Sequence, residues 1–296
     1  MTVQTALLQG TKIFEEARMG VPRLTAEVLL SHALHCDRTY LYSHPEQELT
    51  ETEWLHYGRY LHQRLDGTPT QYITGKQEFY GRPFLVTPDV LIPRPETEHV
   101  VEVALAVSRG QATSLPHVAS TTAWGGRAAS TLRFLDVGCG SGAIAVTVQL
   151  ETGAEVIATD ISLAAIGIAA ENARRLGARI SLVNCDLVSA VADRSIDVLV
   201  SNPPYVPAGE MAGLAREVRD HEPNVALSSG PTGFETYEQL IEDACRVLRP
   251  AGHLVLELGY NSSDRVTELL NSRFGGIRLT ADLAGIPRVV SCRLLP

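Results

Sequence analysis

The tetrapeptide Asn202-Pro-Pro-Tyr205 has the residue types needed to hold a planar –NH2 group. Two consecutive prolines fix the backbone and remove two N–H donors, which leaves main-chain carbonyls free to face a cleft. Asn202 then offers a side-chain oxygen and Pro203 a main-chain oxygen, one acceptor for each hydrogen. Pro204 keeps the turn rigid, and Tyr205 has a flat ring to stack on the group. An amide nitrogen is a poor nucleophile because its lone pair is delocalised into the carbonyl. Accepting both N–H hydrogens returns electron density to nitrogen, and fixed placement supplies part of the roughly 7–11 kcal/mol available to good positioning. The same acceptors stabilise the positive charge that develops on nitrogen. Asn202, Pro203 and Tyr205 are therefore the expected catalytic residues, and Asn202, Pro203, Pro204 and Tyr205 the expected substrate contacts. Alone, a Pro-Pro pair makes a rigid turn; its place at a strand end behind a glycine loop gives it this further meaning.

That loop is Asp136-Val-Gly-Cys-Gly-Ser-Gly142, between an apolar run and a helical one. Its glycines let the backbone turn sharply and approach a ligand where any Cβ would collide. The next strand-like run ends in Asp160, which can accept hydrogen bonds from both hydroxyls of a ribose, with Ile161 beside it. A third run ends in Cys185-Asp-Leu187, setting Asp186 for an adenine amino group and Leu187 over the ring. Gly138-x-Gly140-x-x-Ala143 also satisfies the dinucleotide pattern, so NAD stays open on the loop alone. Asp136 favours S-adenosylmethionine, since a carboxylate there can bind a methionine amino group and would repel a pyrophosphate. The expected cofactor set is Asp136, Gly138, Cys139, Gly140, Ser141, Gly142, Asp160, Ile161, Asp186, Leu187 and Asn202. Cys139 has no base near it in the sequence and reads as a small loop residue, not a nucleophile. His32 and His35 share a helix face without an acidic or cysteine partner, so no metal is expected.

These residues need a frame that gathers strand ends. From 131 onward, strands expected at 132–136, 155–160, 180–184, 196–201 and 253–258 alternate with helices. The helices are expected from about 141, at 163–176 and at 237–248. Final strands at 277–281 and 289–294 form an antiparallel edge pair. This alternation predicts an α/β fold, a mainly parallel sheet with helices on both faces, preceded by a small helical N-terminal domain. Residues 1–68 carry that domain, with apolar Ala26, Leu29, Leu30, Ala33 and Leu34 at helical spacing and a further helix near 54–65. Residues 69–94 read as a hairpin linker with strands at 71–75 and 78–81, and 95–296 as the catalytic domain. Pro95 suits a first helical position, with Glu96 and Glu98 favourable in the first turn. Residues 108–131, rich in Ser, Thr, Ala and Gly without periodicity, read as a flexible insertion.

The 296-residue chain is 45% hydrophobic and carries a formal charge of -9 at pH 7. That charge is poorly suited to gripping a phosphate backbone, which relies on Lys and Arg displacing counterions. Five scattered cysteines without a Cys-x-x-Cys pair argue against a zinc or redox motif and fit a reducing compartment. The N-terminus has no long apolar run, so neither a signal peptide nor a membrane span is expected, and the protein reads as cytoplasmic.

With these residues in view, the sequence resembles the peptide chain release factor N5-glutamine methyltransferases over nearly its whole length. The likeness includes Pro69-x-Gln71-Tyr72-Ile73-x-Gly75 with Phe79, and Ile92-Pro-Arg-Pro-Glu-Thr-Glu98. It continues through the glycine loop, Asp160, Asn202-Pro-Pro-Tyr205 and Glu222-Pro223-x-x-Ala226-Leu227. The resemblance implies a class I methyltransferase fold, S-adenosylmethionine as cofactor, and a release factor held by the N-terminal helices. The target it implies is the glutamine of the Gly-Gly-Gln loop in bacterial or organellar class I release factors. It carries cofactor binding to 138–142, Asp160, Leu187 and Asn202, and glutamine binding to 202–205. Arg94 and Glu96 match a family motif and would shape the site entrance. Thr232 stands where the family commonly has Asp, and the 108–131 stretch is longer than the family pattern.

Besides an NAD-dependent oxidoreductase, which the glycine loop alone leaves open, two alternatives remain at this point. An exocyclic adenine amine is also a planar –NH2, so an adenine-N6 methyltransferase acting on DNA or RNA would use the same tetrapeptide. The acidic charge and the lack of a Lys/Arg-rich segment weigh against it. A non-catalytic binding module would keep the fold without the reaction. No direct nucleic acid, membrane or metal partner is expected.

Overall fold

The structure, a computed structural model, describes residues 1–110 and 131–296. Most of the insertion expected at 108–131 therefore lies outside the described residues. No helix among the described residues is long and apolar enough to cross a membrane. The chain forms two units, Met1–Lys76 with Ala215–His221, and Gln77–Leu214 with Glu222–Pro296.

The first unit contains α1 (Val3–Glu16), α2 (Pro22–Ala33), α3 (Arg38–Ser43), α4 (Glu51–Leu65), α5 (Thr70–Thr74) and, from later in the chain, α9 (Arg216–His221). Local chemistry sets the helix ends. Thr2 caps α1, Pro22 opens α2, and Thr50 with Glu53 forms a capping box on α4. Ala26, Leu29, Leu30 and Ala33 are buried in a core with Phe14, Tyr57 and Leu61. Glu27 is buried there too, but its carboxylate accepts from Arg23, Arg38 and Tyr42, so the charge is paired. Residues 71–74 are helical instead of extended. The Pro69 carbonyl accepts from the N–H groups of Tyr72 and Ile73, and Gly75 closes the turn at φ 68°. The end signals override the strand preference of Tyr-Ile-Thr. The hairpin forms one step later, from β1 (Lys76–Phe79) and β2 (Arg82–Leu85).

The second unit is built on α6 (Glu98–Ser108), β3 (Arg133–Val137), α7 (Ala143–Thr152), β4 (Glu155–Asp160), α8 (Leu163–Leu176), β5 (Ile180–Asn184) and β6 (Ile196–Ser201). It is completed by α10 (Glu235–Val247), β7 (Leu248–Glu257), α11 (Ser263–Leu270), β8 (Phe274–Ala281) and β9 (Pro287–Leu294). Seven strands form one sheet in the order β5-β4-β3-β6-β7-β9-β8, parallel through β7, with β9 antiparallel to both β7 and β8. Strand β7 starts earlier than the apolar run suggests because Leu248 pairs with Ile196 across a bulge.

Side-chain alternation splits the sheet's interior into two cores. Phe134, Val198, Val200 and Val255 pack with α6, α7 and α8, whereas Leu135, Leu199, Leu254 and Leu256 pack with α10 and α11. Each of these buried side chains contributes about 1.5–3 kcal/mol, so register is firmly set: a one-residue slip would exchange the two faces. Strand β3 has β4 on one side and β6 on the other. The strand order reverses there, and the carboxyl ends of β3, β4 and β6 open a crevice.

Candidate active site

At the end of β3 the chain enters the glycine loop. Gly142 caps α7 in the left-handed region at φ 79°, and a Cβ there would lie 3.1 Å from the Ala169 Cβ, so α7 and α8 need glycine to approach this closely. Gly140, at φ 53°, differs: among the described residues nothing lies within 4 Å of the place its Cβ would take. That space belongs to a cavity of about 240 Å³. The cavity is lined at the strand ends by Gly138, Gly140, Asp160, Ile161, Asp186, Leu187, Asn202 and Pro204. Asp89, Val90 and Leu91 close one side, and Pro223, Val225 and Ala226 another.

The loop is braced by carboxylates. Asp160 Oδ2 accepts from the Gly140 N–H and Oδ1 from the Ser162 N–H, each at 2.8 Å, with further lone pairs left on both oxygens. Asp136 sits behind the wall and is 1% exposed. Its Oδ2 accepts from the Ala145 N–H at 3.0 Å, while Oδ1 has no partner among the described residues. Burial pushes its carboxyl up to about 7, opposed by the Ala145 hydrogen bond and reinforced by the charge of Asp160. Cys139, Ser141 and Gly142 also shape the loop without lining the cavity. Burial pushes the Cys139 thiol well up, so it stays protonated and makes a poor nucleophile.

Beyond β6, Ser201 donates to the Val137 carbonyl at 2.7 Å and ties the tetrapeptide to the root of the glycine loop. The segment after it is pinned by Val206 N–H to the Leu227 carbonyl and Ser229 N–H to the Val206 carbonyl. Asn202 Oδ1 and the Pro203 carbonyl accept no hydrogen bond among the described residues. Two neighbouring acceptors thus stand unused in the tetrapeptide, where Asn202 and Pro204 line the cavity and Pro203 between them is buried outside its lining. Tyr205 lies outside the cavity lining, its ring so close to Gly259 that a Cβ there would sit 2.9 Å from it. Burial pushes the Tyr205 phenol up to about 12, so it remains neutral.

Several residues around the site carry no obvious local signal. Asp89, Val90 and Leu91 belong to no recognisable pattern. Arg94 and Glu222, each inside a motif, form an ion pair, and Glu222 Oε2 also accepts from the Ile92 N–H at 3.3 Å. Asn202 Nδ2 donates to Thr97 Oγ1 at 3.1 Å, and Thr97 Oγ1 donates to Glu257 Oε2 at 2.6 Å. Thr232, the departure from the family pattern, donates through its N–H and hydroxyl to Glu235, each at 2.9 Å, and closes the turn that leads into α10.

Comparison with known proteins identifies relatives over nearly the whole chain. Residues 5–75 match the PrmC N-terminal domain, and residues 127–218 match the methyltransferase small domain. The release factor glutamine methyltransferase of Koribacter versatilis (strain Ellin345) is 41% identical over 292 residues, covering 98% of both chains. That of Bacillus subtilis (strain 168) is 36% identical over 299 residues, covering 99% of this chain and 98% of its own. Among solved structures, a methyltransferase from Pyrococcus furiosus superposes with a TM-score of 0.51 at 16% identity, over 74% of this chain and 91% of that one. The hMettl16 catalytic domain in complex with MAT2A 3'UTR hairpin 6 gives a TM-score of 0.56 at 15% identity, over 80% and 84%. At such identities these two show the fold alone. The near full-length likeness to the curated enzymes, at over a third of positions, shows that this chain belongs to the release factor glutamine methyltransferase family.

Proposed function

We propose that the chain transfers a methyl group from S-adenosylmethionine to the side-chain amide nitrogen, N5, of the glutamine in the Gly-Gly-Gln motif of peptide chain release factors. The names of its relatives support the substrate. The observation that carries the chemistry is the pair of unused acceptors, Asn202 Oδ1 and the Pro203 carbonyl, in a tetrapeptide whose Asn202 and Pro204 line the cavity.

The residues present fit the cofactor. The open space at Gly138 and Gly140 suits close backbone approach, Asp160 keeps free lone pairs for ribose hydroxyls, and Asp186 with Leu187 suits an adenine. Asp136, walled off behind the loop with its Oδ1 unpartnered among the described residues, would act on a cationic amino group through its charge and not by contact. When bound, S-adenosylmethionine supplies an electrophilic methyl group on a sulfonium.

The chain's own part is to prepare the amide. Asn202 Oδ1 and the Pro203 carbonyl each accept one N–H hydrogen, which holds the –NH2 in one plane and enriches its nitrogen. Pro204 keeps the two acceptors at a fixed spacing, and Tyr205 stacks on the amide from its place against Gly259. The positive charge that develops on nitrogen then meets oriented oxygens rather than water that must reorganise. No base acts before transfer; the methylated nitrogen gives its extra proton to solvent afterwards. A release factor substrate is consistent with a cytoplasmic reaction that requires no direct nucleic acid contact.

A labelled-methyl transfer assay tests the reading, with purified release factor and an adenine-containing duplex offered in parallel. Label mapped by mass spectrometry to the Gly-Gly-Gln glutamine is the expected result. Label on the duplex instead would overturn the substrate and keep the amine chemistry.

A further inference from the structure

We propose that Thr97 and Glu257 are positioning residues that decide which end of the Asn202 side-chain amide faces the substrate. The inference rests on the methyl-transfer function proposed above. A terminal amide is nearly symmetric in shape, and one rotation about its last bond exchanges a hydrogen-bond acceptor for a donor. The proposed chemistry needs the oxygen at the substrate. An Asn202 turned the other way would present –NH2 to the substrate –NH2, two donors facing each other, with nothing to accept the hydrogens.

The direction of the hydrogen bonds removes that ambiguity. Glu257 closes β7 and is 3% exposed. As a carboxylate it can only accept, so Thr97, 2.6 Å away, must spend its single hydroxyl proton on Oε2. Thr97 Oγ1 can then only accept from its other neighbour. Asn202 must therefore turn Nδ2 toward Thr97, as observed at 3.1 Å, and Oδ1 away from it. Thr97 is itself buried, so no water competes for its hydroxyl. The two supports are 160 positions apart along the chain: Thr97 comes from the turn Pro95–Thr97 that precedes α6, Glu257 from the end of the strand beside β6. Glu257 is held in turn, because Tyr237 donates to its main-chain carbonyl at 2.8 Å.

Protonation of Glu257 would undo the arrangement. A protonated carboxyl can donate to Thr97, which then has a proton to give to Asn202 Oδ1, and the amide can turn over. Burial raises the Glu257 carboxyl to about 7, with Glu96 adding to the rise and the Thr97 hydroxyl, Arg288 and Arg94 opposing it. The neutral phenols of Tyr205 and Tyr237 complete its titratable surroundings. Turnover should accordingly fall as pH drops through about 7.

Three variants test this with full-length enzyme, S-adenosylmethionine and purified release factor. Thr97→Val keeps the shape and removes the hydroxyl; Thr97→Ser keeps the hydroxyl and loses a methyl. A role in orienting Asn202 predicts that Thr97→Val lowers kcat about 10- to 100-fold. The same variant should leave KM for the release factor and calorimetric S-adenosylhomocysteine affinity within about threefold, while Thr97→Ser recovers most of kcat. A mere packing role predicts the reverse order, Val tolerated and Ser impaired, and that outcome overturns the proposal. Glu257→Gln, isosteric but unable to titrate, should lower kcat and abolish the acid limb of the pH–kcat profile. A Gln variant that keeps the wild-type acid limb would also overturn it, and this arm decides the matter if Thr97→Val melts below the assay temperature. Absence of transfer by the wild-type enzyme would sink the functional reading and this inference together. Full wild-type transfer with undiminished Thr97→Val sinks this inference alone.

Discussion

Arg94 pairs with Glu222 although 128 residues separate them, and the pair joins two motifs that the sequence presents as unrelated. The Glu222 side chain is 1% exposed and that of Arg94 33%. Pro223, Val225 and Ala226, just beyond Glu222, line the cavity. The ion pair thus holds one cavity wall against the segment that carries Thr97.

Removing the cation should loosen that wall. Among the described residues, Arg94→Ala leaves a buried carboxylate with the Ile92 N–H as its remaining donor. The expected loss is about 2–3 kcal/mol, below the roughly 3–5 of a wholly buried pair because Arg94 is partly solvated. Urea unfolding would measure it, and S-adenosylhomocysteine affinity should weaken in parallel. Unchanged stability would mean that the pair contributes little to the wall.

Asn202→Ala removes one of the two unused acceptors as well as a cavity-lining side chain. Cofactor binding should weaken but remain measurable by calorimetry. Methyl transfer should fall by at least about 100-fold, the scale of losing one preorganised polar group at a reacting centre. Turnover near the wild-type rate would refute the role assigned to Asn202.

Two glycines of one loop should respond differently to alanine. Gly142→Ala meets both a positive φ and Ala169 at 3.1 Å, so it should cost about 2–3 kcal/mol of stability. Gly140→Ala has room within the protein and should cost only about 1 kcal/mol, from its positive φ. Its new methyl occupies cavity space instead, so cofactor affinity should drop about tenfold or more, some 1.4 kcal/mol. Thermal melts paired with ligand titrations separate the two effects.

Asp136 should make the cofactor-free protein less stable as pH rises. Its carboxyl goes from an ordinary value of 3.8 to about 7 in the fold. Between those limits the folded chain holds a proton that the unfolded chain has released. The contribution is complete below the unfolded value and disappears as pH rises through the folded one, with a slope of up to about 1.4 kcal/mol per pH unit. Glu257, raised from 4.5 to about 7, acts in the same sense. Asp136→Asn can still accept from Ala145, so it should flatten the profile between about pH 4 and 7 without unfolding the loop. Parallel wild-type and variant profiles would contradict this account.

Much of the protein was legible in its sequence because the signals were local. Alternating apolar runs and helical periods marked the strands and helices of the sheet unit, and the glycine loop with Asp160 marked strand ends that line the cavity. The chemistry proposed for the tetrapeptide was readable from four consecutive residues. Residues 71–74 misled because a proline and a glycine at the ends outweighed three strand-forming side chains between them.

The strand ends and the polar groups placed on them are written locally in the chain, since backbone periodicity, turn residues and caps act over a few positions. The tertiary structure alone decided which groups meet: Arg94 with Glu222, Asn202 with Thr97 across 105 residues, Thr97 with Glu257 across 160. The Asn202–Thr97 and Thr97–Glu257 pairings follow from the strand order, which sets β6 beside β7 and brings the turn before α6 within hydrogen-bond reach of both ends. Burial then converts each meeting into a constraint, because a polar group cut off from water must find its partner inside the fold.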